Sequence, residues 1–519
     1  MTFSTTPSDM FDPAGDTTLR TNVCVIGSGF CGAIIAVELA TAGIDVLLLE
    51  AGSEAPDHRL DAMLDRVDVS GGTELHFGFA RQLGGASNLW AGRLAALDPI
   101  DFEQRAWVPH SGWPLSMQDL EPWYRRAGEI LGLQDSGLLA APGHTRPRFL
   151  SAGAIEFKLF QWANRHFNAA DYLREAARRM DRLRVMMNAP VVRLCERGDA
   201  GSVETAEVAL PNGKIVRVHA RRFVVAAGGI QTPRLLLNST AVRPAGIGGD
   251  AVGRYLSTHP KANMATVILM KRVSTRHPLF SDQPSNGGTA RCGVGFTAAA
   301  QREHRLLNHY VQVLPFAEYR ANKLFDAWRG SHAFNSPLID RSPLISGFIP
   351  GAGKIAFEMM GRLGGMQRRA RKFILRAFLD QYPNPNNRVT LSGRRDAFGM
   401  PLADVTWTFS PEDRASVIAF FELLEREMRA DDVARMDYGR LRTAQAWPLI
   451  GIHSHFMGTT RMGDDPRTSV TDRDCRIHGC DNVFVAGPSL FPAYGYANPV
   501  YTIAALSLRL AEHLKTRLP

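Results

Sequence analysis

Two histidines and an asparagine near the C-terminal end carry the side chains best suited to proton transfer. His453 and His455 stand two residues apart, and Asn498 directly precedes Pro499. Histidine takes up and releases a proton near neutral pH, and an amide can hold a hydroxyl group by hydrogen bonds. A base and a hydrogen-bonding partner of this kind have a catalytic use only beside a reactive group.

A glycine-rich motif near the N-terminal end predicts a dinucleotide site that could provide such a group. Gly27, Gly29 and Gly32 stand between an apolar strand-like stretch and a helix-forming one, and Glu50 ends a second apolar stretch. Gly27 permits a tight turn, Gly29 lets the backbone approach a pyrophosphate, and Gly32 allows the helix and strand to pack closely. The first N–H groups of the helix favour the pyrophosphate charge. The motif alone fits NAD and FAD equally well.

A metal site is the alternative interpretation of the histidine pair. Cys475, His478 and Cys480 follow His453 and His455 in the sequence. A structural zinc site gathers about four ligands at one point, and these spacings do not bring four ligands together. We therefore expect no bound metal.

Composition describes a globular chain rather than a disordered or fibrous one. The residues are 45% hydrophobic and 21% charged, as in globular proteins. A length of 519 residues is more than one ordinary hydrophobic core requires. No apolar run is long enough to span a membrane, no signal peptide is recognisable, and the six scattered cysteines fit reduced thiols, so we expect a cytoplasmic location. The net charge of +9 comes largely from residues 351–378, which argues against a nucleic-acid partner.

Hydrophobic periodicity predicts the elements that position these side chains. A helix is expected over 117–131 with Ser116 as its N-cap, and a second long helix over 411–428. A hairpin is expected around 211–213, and the buried strand at 223–229 leaves through glycines. We expect this exit to approach the cofactor again.

The segment 366–378 predicts a basic amphipathic helix. Apolar side chains recur at helical spacing, with Arg369, Lys372 and Arg376 beside them. Such a helix can lie on an anionic membrane surface, giving a weak contact, or cover a core with a solvated basic face, which we favour. The longer stretch 306–375 is also mostly compatible with helix.

The whole pattern resembles the glucose-methanol-choline (GMC) oxidoreductases, an FAD-dependent family. The resemblance spans nearly the whole chain in the family's order. Its motifs are the dinucleotide loop with Glu50 and the segments 84–87, 226–237, 252–260, 382–391 and 455–514. Trp113 and Pro114, with the helix after them, are closer to the pyranose-oxidising branch and the bacterial sugar dehydrogenases.

The resemblance implies an α/β fold: a Rossmann-like FAD-binding domain with an inserted α+β substrate domain whose floor is an antiparallel sheet. The FAD-binding domain would comprise 15–260 and 441–519, with a lid or flavin-attachment loop around 53–115, and the substrate domain 261–440. His455 and Asn498 would form the catalytic pair, with His453 as a neighbour. The implied cofactor-binding residues are Gly27, Gly29, Gly32, Glu50, Gly84, Gly85, Ser87, Asn88, Val192, Ala227, Gly487 and Pro499.

The resemblance also implies an activity: oxidation of an alcohol to a carbonyl, with proton abstraction by histidine and hydride transfer to flavin N5. Leu89 matches a position where the family sometimes attaches flavin through histidine, so we expect non-covalent FAD. A sugar, aminosugar or glycoside is the favoured substrate, and oxygen, a quinone or another acceptor would take the electrons. The alternatives are a hydrophobic or lipid-linked alcohol, served by the apolar stretch 344–349, a flavin-binding protein without turnover, and a nicotinamide enzyme.

Overall fold

The computed structural model describes most of the chain. The described residues are 3–4, 18–57, 68–70, 80–133, 147, 149–150, 153–163, 165–196, 201–239, 250–285, 288–316, 369–428, 432–443, 447, 449 and 455–517.

Nine α-helices lie in this described part of the chain. They are α1 Phe30–Thr41, α2 Pro99–Phe102, α3 Met117–Ile130, α4 Ala169–Arg179, α5 Gly228–Asn238, α6 Ala298–His304, α7 Pro411–Glu427, α8 Gly439–Thr443 and α9 Val500–Lys515.

The described residues also form nineteen strands. They are β1 Phe3–Ser4, β2 Thr18–Ile26, β3 Val46–Leu49, β4 Asp68–Ser70, β5 Arg93–Leu94, β6 Ile155–Ala163, β7 Leu183–Met186, β8 Val191–Glu196, β9 Val203–Ala209, β10 Ile215–Val225, β11 Lys261–Ser274, β12 Gln283–Ser285, β13 Gly288–Phe296, β14 Tyr310–Pro315, β15 Arg369–Phe378, β16 Arg388–Arg395, β17 Pro401–Thr406, β18 Val433–Asp437 and β19 Val483–Val485.

The first sheet is the dinucleotide-binding type. Its strand order is β1-β7-β3-β2-β10-β9-β8, and β19 also pairs with β10. The strands β7, β3, β2, β10 and β19 run parallel, whereas β9 joins β10 and β8 in antiparallel fashion. Because helices cover a parallel sheet, its strands are apolar where they are buried. Strand β3 is buried along its whole length, and β2 is buried over its last four residues.

The second sheet is antiparallel and has two different faces. Its order is β18-β11-β15-β14-β13-β6-β5, with β12 paired to β13. One face packs on α7 through Phe373, Leu375 and Phe420, which belong to one hydrophobic cluster. Side chains alternate between the faces of a strand, so the neighbouring residues of β15 project to the other side. Strands β5 and β6 come from before residue 261, so this sheet draws on more of the chain than one continuous segment.

Several elements follow the sequence-based expectations closely. Helix α3 begins after Ser116, whose Oγ accepts a hydrogen bond from the N–H of Asp119 at 3.2 Å, as an N-cap should. The hairpin of β9 and β10, the long helix α7 and the C-terminal helix α9 are also confirmed. The antiparallel sheet and the Rossmann-like sheet confirm the predicted fold class.

The predicted basic helix over 366–378 is wrong. Residues 369–378 form β15, which lies between β11 and β14 in the second sheet. Both faces of its second half are buried, from Phe373 to Phe378 apart from partly buried Arg376, so the sequence shows no alternation and resembles a helix period. Residues 369–378 therefore do not form the helix on which the membrane-binding hypothesis depended. Strand β14 likewise corrects the helical expectation for 306–375, and the stretch 344–349 lies outside the described residues.

No helix in the described part of the chain combines the length and apolarity needed to cross a bilayer. Within the same residues, no group of three or more histidine, cysteine or acidic side chains is arranged to bind a metal ion.

A buried hydrogen bond between α3 and α9 generates a stability prediction. The hydroxyls of Tyr124 and Thr502 lie 2.8 Å apart, and both side chains are buried. Removing the Tyr124 hydroxyl leaves Thr502 without this partner, so Tyr124→Phe is expected to lower the free energy of unfolding by about 1–2 kcal/mol. Urea unfolding of the FAD-loaded protein, followed by circular dichroism, measures the shift.

Tyr172→Phe is the matched control, because no described residue is hydrogen-bonded to the Tyr172 hydroxyl. Its change is expected to stay within about 0.5 kcal/mol. Equal shifts for the two variants would contradict the role given to the Tyr124 hydroxyl.

Candidate active site

The first glycine loop joins β2 to α1 and is shaped by close backbone approaches. Gly27 has φ +103°, where side chains are disfavoured, and a Cβ on Gly32 would stand 1.8 Å from the Gly27 carbonyl oxygen. A Cβ on Gly29 would meet nothing within 4 Å, so open space lies beside that backbone. The three predicted glycines therefore form one cradle at the start of α1, and this cradle fits a pyrophosphate.

Glu50 connects this loop to the second glycine loop. Its Oε2 accepts hydrogen bonds from Ser28 N at 3.0 Å and Ser28 Oγ at 2.5 Å, and its Oε1 accepts one from Gly52 N at 2.9 Å. Ser28 Oγ in turn accepts a hydrogen bond from Gly84 N at 2.9 Å. Burial raises the pKa of the Glu50 carboxyl, while the hydrogen bonds from Ser28 and Gly52 oppose that shift.

The second glycine loop lies against the first. A Cβ built on Gly85 would come 3.2 Å from Gly29 Cα. The side chains of Ser87 and Asn88 are used within the protein: Ser87 Oγ donates to Gly84 O at 2.7 Å, and Asn88 Nδ2 donates to Gly85 O at 3.0 Å. These side-chain hydrogen bonds stabilise the loop conformation. Ser87 and Asn88 can therefore contact a ligand through their backbones without disturbing the loop.

Two further predicted residues approach the same place by different routes. Ala227 precedes α5, and the neighbouring Ala226 carbonyl oxygen would be 2.7 Å from a Cβ on Gly27. Gly487 follows Ala486, whose N–H bonds to the Val225 carbonyl at 2.9 Å. The structure therefore brings the ends of β10 and β19 to the first glycine loop.

Val192 is the predicted residue with the least direct connection to the cradle. It lies in the edge strand β8, and its carbonyl accepts a hydrogen bond from Asn238 Nδ2 at 2.7 Å. The nearby Ala189 N–H bonds to the Glu50 carbonyl at 2.9 Å, which brings the start of this strand to the end of β3.

His455 is hydrogen-bonded to a second histidine that the sequence-based site did not include. His259 Nδ1 and His455 Nδ1 lie 3.3 Å apart, and His259 Nε2 lies 2.9 Å from the Gly495 carbonyl oxygen. A carbonyl can only accept, so the proton of a neutral His259 is on Nε2 and its Nδ1 is an acceptor. His455 must then donate from Nδ1, which leaves the lone pair of His455 Nε2 for another group.

The electrostatic surroundings keep both imidazoles neutral. Burial lowers the pKa of His259 to about 3, with a further lowering by Lys261. Burial also lowers the pKa of His455 well below its usual value, and His259, Lys261 and Arg93 add to that shift. A neutral histidine with a free Nε2 can act as a base. His453 lies outside the described residues.

Asn498 is linked indirectly to the surroundings of this histidine pair. Its Nδ2 donates to the Arg93 carbonyl at 3.5 Å, and it stands three residues after Gly495, which binds His259. Its buried Oδ1 has no hydrogen-bond donor among the described residues. Buried polar atoms are rarely left unpaired, so this amide has capacity for a ligand. Pro499 follows and caps α9, which begins at Val500.

The second sheet contributes a cluster of buried aromatic side chains to the same region. Tyr310 stacks on Tyr496 with ring centroids 5.2 Å apart, and Phe160 meets Tyr310 edge-on at 5.1 Å. Tyr496 lies on the segment between Gly495 and Asn498, so the histidine pair and the sheet surface are neighbours. Aromatic side chains of this kind can line a substrate pocket.

Sequence reasoning missed His259, Lys261 and Arg93 as site residues. His259 and Lys261 occur in the matched segment around 252–260 and just after it, yet a histidine pair separated by 196 positions has no local pattern. Arg93 lies a few residues after the second glycine loop, but nothing in the sequence shows that its side chain reaches three aromatic rings of the sheet.

Two models of known families match the chain. The model described as GMC oxidoreductase matches residues 383–507, and the model described as FAD dependent oxidoreductase matches residues 22–355. The chain belongs to the GMC oxidoreductase family. Both the predicted family and an FAD-dependent enzyme activity are thereby confirmed, and the nicotinamide alternative is wrong.

Individual relatives of this GMC protein are moderately similar. Paromamine 6'-oxidase of Streptomyces fradiae is 28% identical over 95% of this chain and 90% of its own length. The large subunit of fructose dehydrogenase of Gluconobacter japonicus is 31% identical over 58% of this chain and 48% of its own. The solved structure of pyridoxine 4-oxidase from Mesorbium loti is 18% identical with a TM-score of 0.54, covering 95% of this chain and 99% of that one, and it supports the fold.

The hydrogen bond between the histidines generates a prediction for this GMC enzyme. His259→Leu removes the acceptor for His455 Nδ1–H, so the His455 ring and its tautomer are no longer fixed. We expect kcat/KM to fall by about tenfold or more, a fraction of what a positioned base contributes. Steady-state kinetics with the FAD content of each preparation measure the effect.

His259→Asn is the conservative partner variant, because its side-chain oxygen can still accept from His455. It is expected to retain more activity than His259→Leu. His304→Leu, at the partly exposed end of α6, controls for loss of an imidazole elsewhere. Identical losses for His259→Leu and His259→Asn would show that the acceptor is not what matters.

Proposed function

We propose that this protein oxidises an alcohol hydroxyl to a carbonyl, with His455 as the base. The fixed tautomer of His455 carries the proposal: its Nδ1–H is used by His259, and no described residue is hydrogen-bonded to Nε2. An alcohol oxygen that donates to Nε2 can therefore pass its proton to an imidazole that is already oriented. FAD, when bound, supplies the acceptor for the hydride that leaves the alcohol carbon.

Asn498 is proposed as the second contact to the alcohol. Its amide makes one long hydrogen bond to the Arg93 carbonyl, and its Oδ1 has none from the described residues. The amide can therefore orient the hydroxyl-bearing carbon. The start of α9, after Pro499, also directs its positive dipole end to this region, where a group that gains negative charge is stabilised.

The FAD-binding residues are proposed from the cradle described above. The backbones of Gly27, Gly29 and Gly32 would hold the pyrophosphate, and Glu50 would accept from a ribose hydroxyl. The remaining proposed contacts come mainly from backbone at Gly84, Gly85, Ser87, Asn88, Val192, Ala227, Gly487 and Pro499. The two sheets support a division into an FAD-binding part and a substrate-binding part.

Non-covalent binding is proposed for FAD. Leu89 stands directly after the second glycine loop and is 58% exposed, so an apolar side chain occupies the position that matches the family's attachment histidine. A leucine side chain has no nucleophilic atom to form the link. Precipitation with acid is expected to release all the flavin into the supernatant, where its absorption is measured. A yellow precipitate would contradict this expectation.

A sugar, aminosugar or glycoside is the proposed substrate class. The similarity to paromamine 6'-oxidase and the large subunit of fructose dehydrogenase supports it. A hydrophobic or lipid-linked alcohol has less support, because residues 369–378 form a strand instead of a membrane-surface helix. Oxygen or a quinone is proposed as the electron acceptor.

Replacement of the proposed base tests the function directly. His455→Ala is expected to lower kcat by about 10²–10⁴-fold, because a positioned base contributes that much, while the FAD content stays unchanged. Anaerobic mixing with alcohols, followed by flavin absorption, measures the rate of reduction. His219→Ala, a partly exposed histidine on β10, is the control. Near-normal flavin reduction by His455→Ala would overturn the assignment.

A further inference from the structure

Two partly buried cations near His455 lack carboxylate partners among the described residues. Lys261 begins β11, two residues after His259, and Arg93 begins β5, where its carbonyl binds Asn498. Neither side chain forms an ion pair with an acidic residue in the described part of the chain. Lysine and arginine are rarely buried unpaired, because losing hydration costs free energy that a counter-charge must offset.

Cross-strand register places both cations on the aromatic face of the second sheet. Lys261 is directly opposite Phe378, and Arg93 is directly opposite Trp162. Directly paired residues project to the same side of a sheet. The Lys261 Nζ lies 5.2 Å from the centroid of the Phe378 ring, and the Arg93 Cζ lies 5.4 Å from the same centroid. The two charges therefore flank one aromatic ring.

Aromatic rings hold Arg93 in place without neutralising it. Its Cζ lies 4.9 Å from the Trp162 ring centroid and 5.4 Å from the Phe160 centroid. Cation–π contacts orient a guanidinium but supply no negative charge. The acidic side chain that acts on Arg93 is Asp282, which is 56% exposed and is paired with Arg291 at 3.4 Å. This carboxylate is thus already engaged.

Another buried lysine of the same sheet shows the contrast. Lys158, on β6, is bound by Asp98 at 2.6 Å and Glu156 at 2.7 Å, and those carboxylates raise its pKa against the effect of burial. Lys261 has no such partners, and burial together with Arg93 and Arg376 lowers its pKa to about 8. The described residues therefore supply a counter-charge for the fully buried Lys158 and none for the partly buried Lys261, which lies beside the histidine pair.

We propose that the substrate carries an anionic oxygen group, a carboxylate or a phosphate, which Lys261 and Arg93 bind beside the hydroxyl that His455 deprotonates. The inference rests on the proposed function and narrows its substrate class to acidic sugars, hydroxy acids or sugar phosphates. Arg93 contributes a planar fork of donors and Lys261 a mobile ammonium, which together suit an oxyanion. The aromatic surface between them would contact the carbon skeleton.

Matched substrates test this proposal on the FAD-loaded enzyme. Glucose, glucosamine, gluconate, glucuronate and glucose 6-phosphate, with the corresponding galactose series, are mixed anaerobically with the protein, and flavin reduction is followed. We expect the anionic members to show an apparent Kd at least about tenfold lower than their neutral partners, as charge-assisted hydrogen bonds provide. Preference for the sugar acids or for the phosphates identifies which oxyanion is bound.

Binding is measured separately from turnover in the His455→Ala variant. The flavin spectrum is titrated with the same compounds, so an anion preference in binding is visible even where oxidation is blocked. Equal or tighter binding of the neutral or cationic members would overturn the proposal while the proposed function stands. Failure of every compound to reduce the flavin of the unmodified enzyme would overturn the proposed function itself, and the inference with it.

A charge-removing variant shows whether the cations act on the substrate or on the flavin. Lys261→Met keeps the length of the side chain and is expected to raise the Kd of the anionic members about 10–100-fold, with neutral members changing less than about twofold. Lys271→Met, an exposed lysine on the same strand, is the control and should change neither. Equal weakening for neutral and anionic members would show a role in folding or toward the flavin, and would overturn the proposal.

Discussion

The hydrogen bond between His259 and His455 is the constraint on which the active-site arrangement depends. It fixes the tautomer of His455 only because the Gly495 carbonyl accepts a hydrogen bond from Nε2 of His259. Gly495 itself has φ +54°, and a Cβ there would stand 2.4 Å from Asp101 Oδ2, so this turn tolerates no side chain. The orientation of the proposed base is therefore set by the backbone of the opposite segment rather than by the residues adjacent to His455.

Backbone contacts also join the segment after His455 to the proposed cofactor cradle. A Cβ on Gly229 would lie 2.0 Å from the Phe456 carbonyl oxygen, and Thr459 Oγ1 donates to the Gly229 carbonyl at 2.7 Å. Gly229 lies in the first turn of α5, which follows the strand that reaches the first glycine loop. The proposed cofactor cradle and the proposed base are thus held by one continuous set of close approaches, and a shift of either would displace the other.

Local rules explain which parts of this arrangement could be predicted from the sequence. The turn at Gly27, the packing at Gly32 and the cap at Ser116 each depend on residues within a few positions, so their patterns are visible in the chain. Strand β15 could not be recognised, because burial of both faces removes the alternation that identifies a strand. His259, Lys261 and Arg93 were missed for another reason: their roles come from contacts between distant segments, which no spacing records.

The two cations beside the base give the proposed substrate charge a chemical consequence. Burial lowers the pKa of His455 most, and His259, Lys261 and Arg93 add to that shift, so the imidazole stays neutral but holds an accepted proton weakly. An anionic group bound between the cations and the base would offset their field and make His455 a stronger base once substrate is present. A neutral alcohol would leave that field in place. The two cations would thus favour proton transfer to His455 from a substrate that carries an anionic group over transfer from a neutral alcohol.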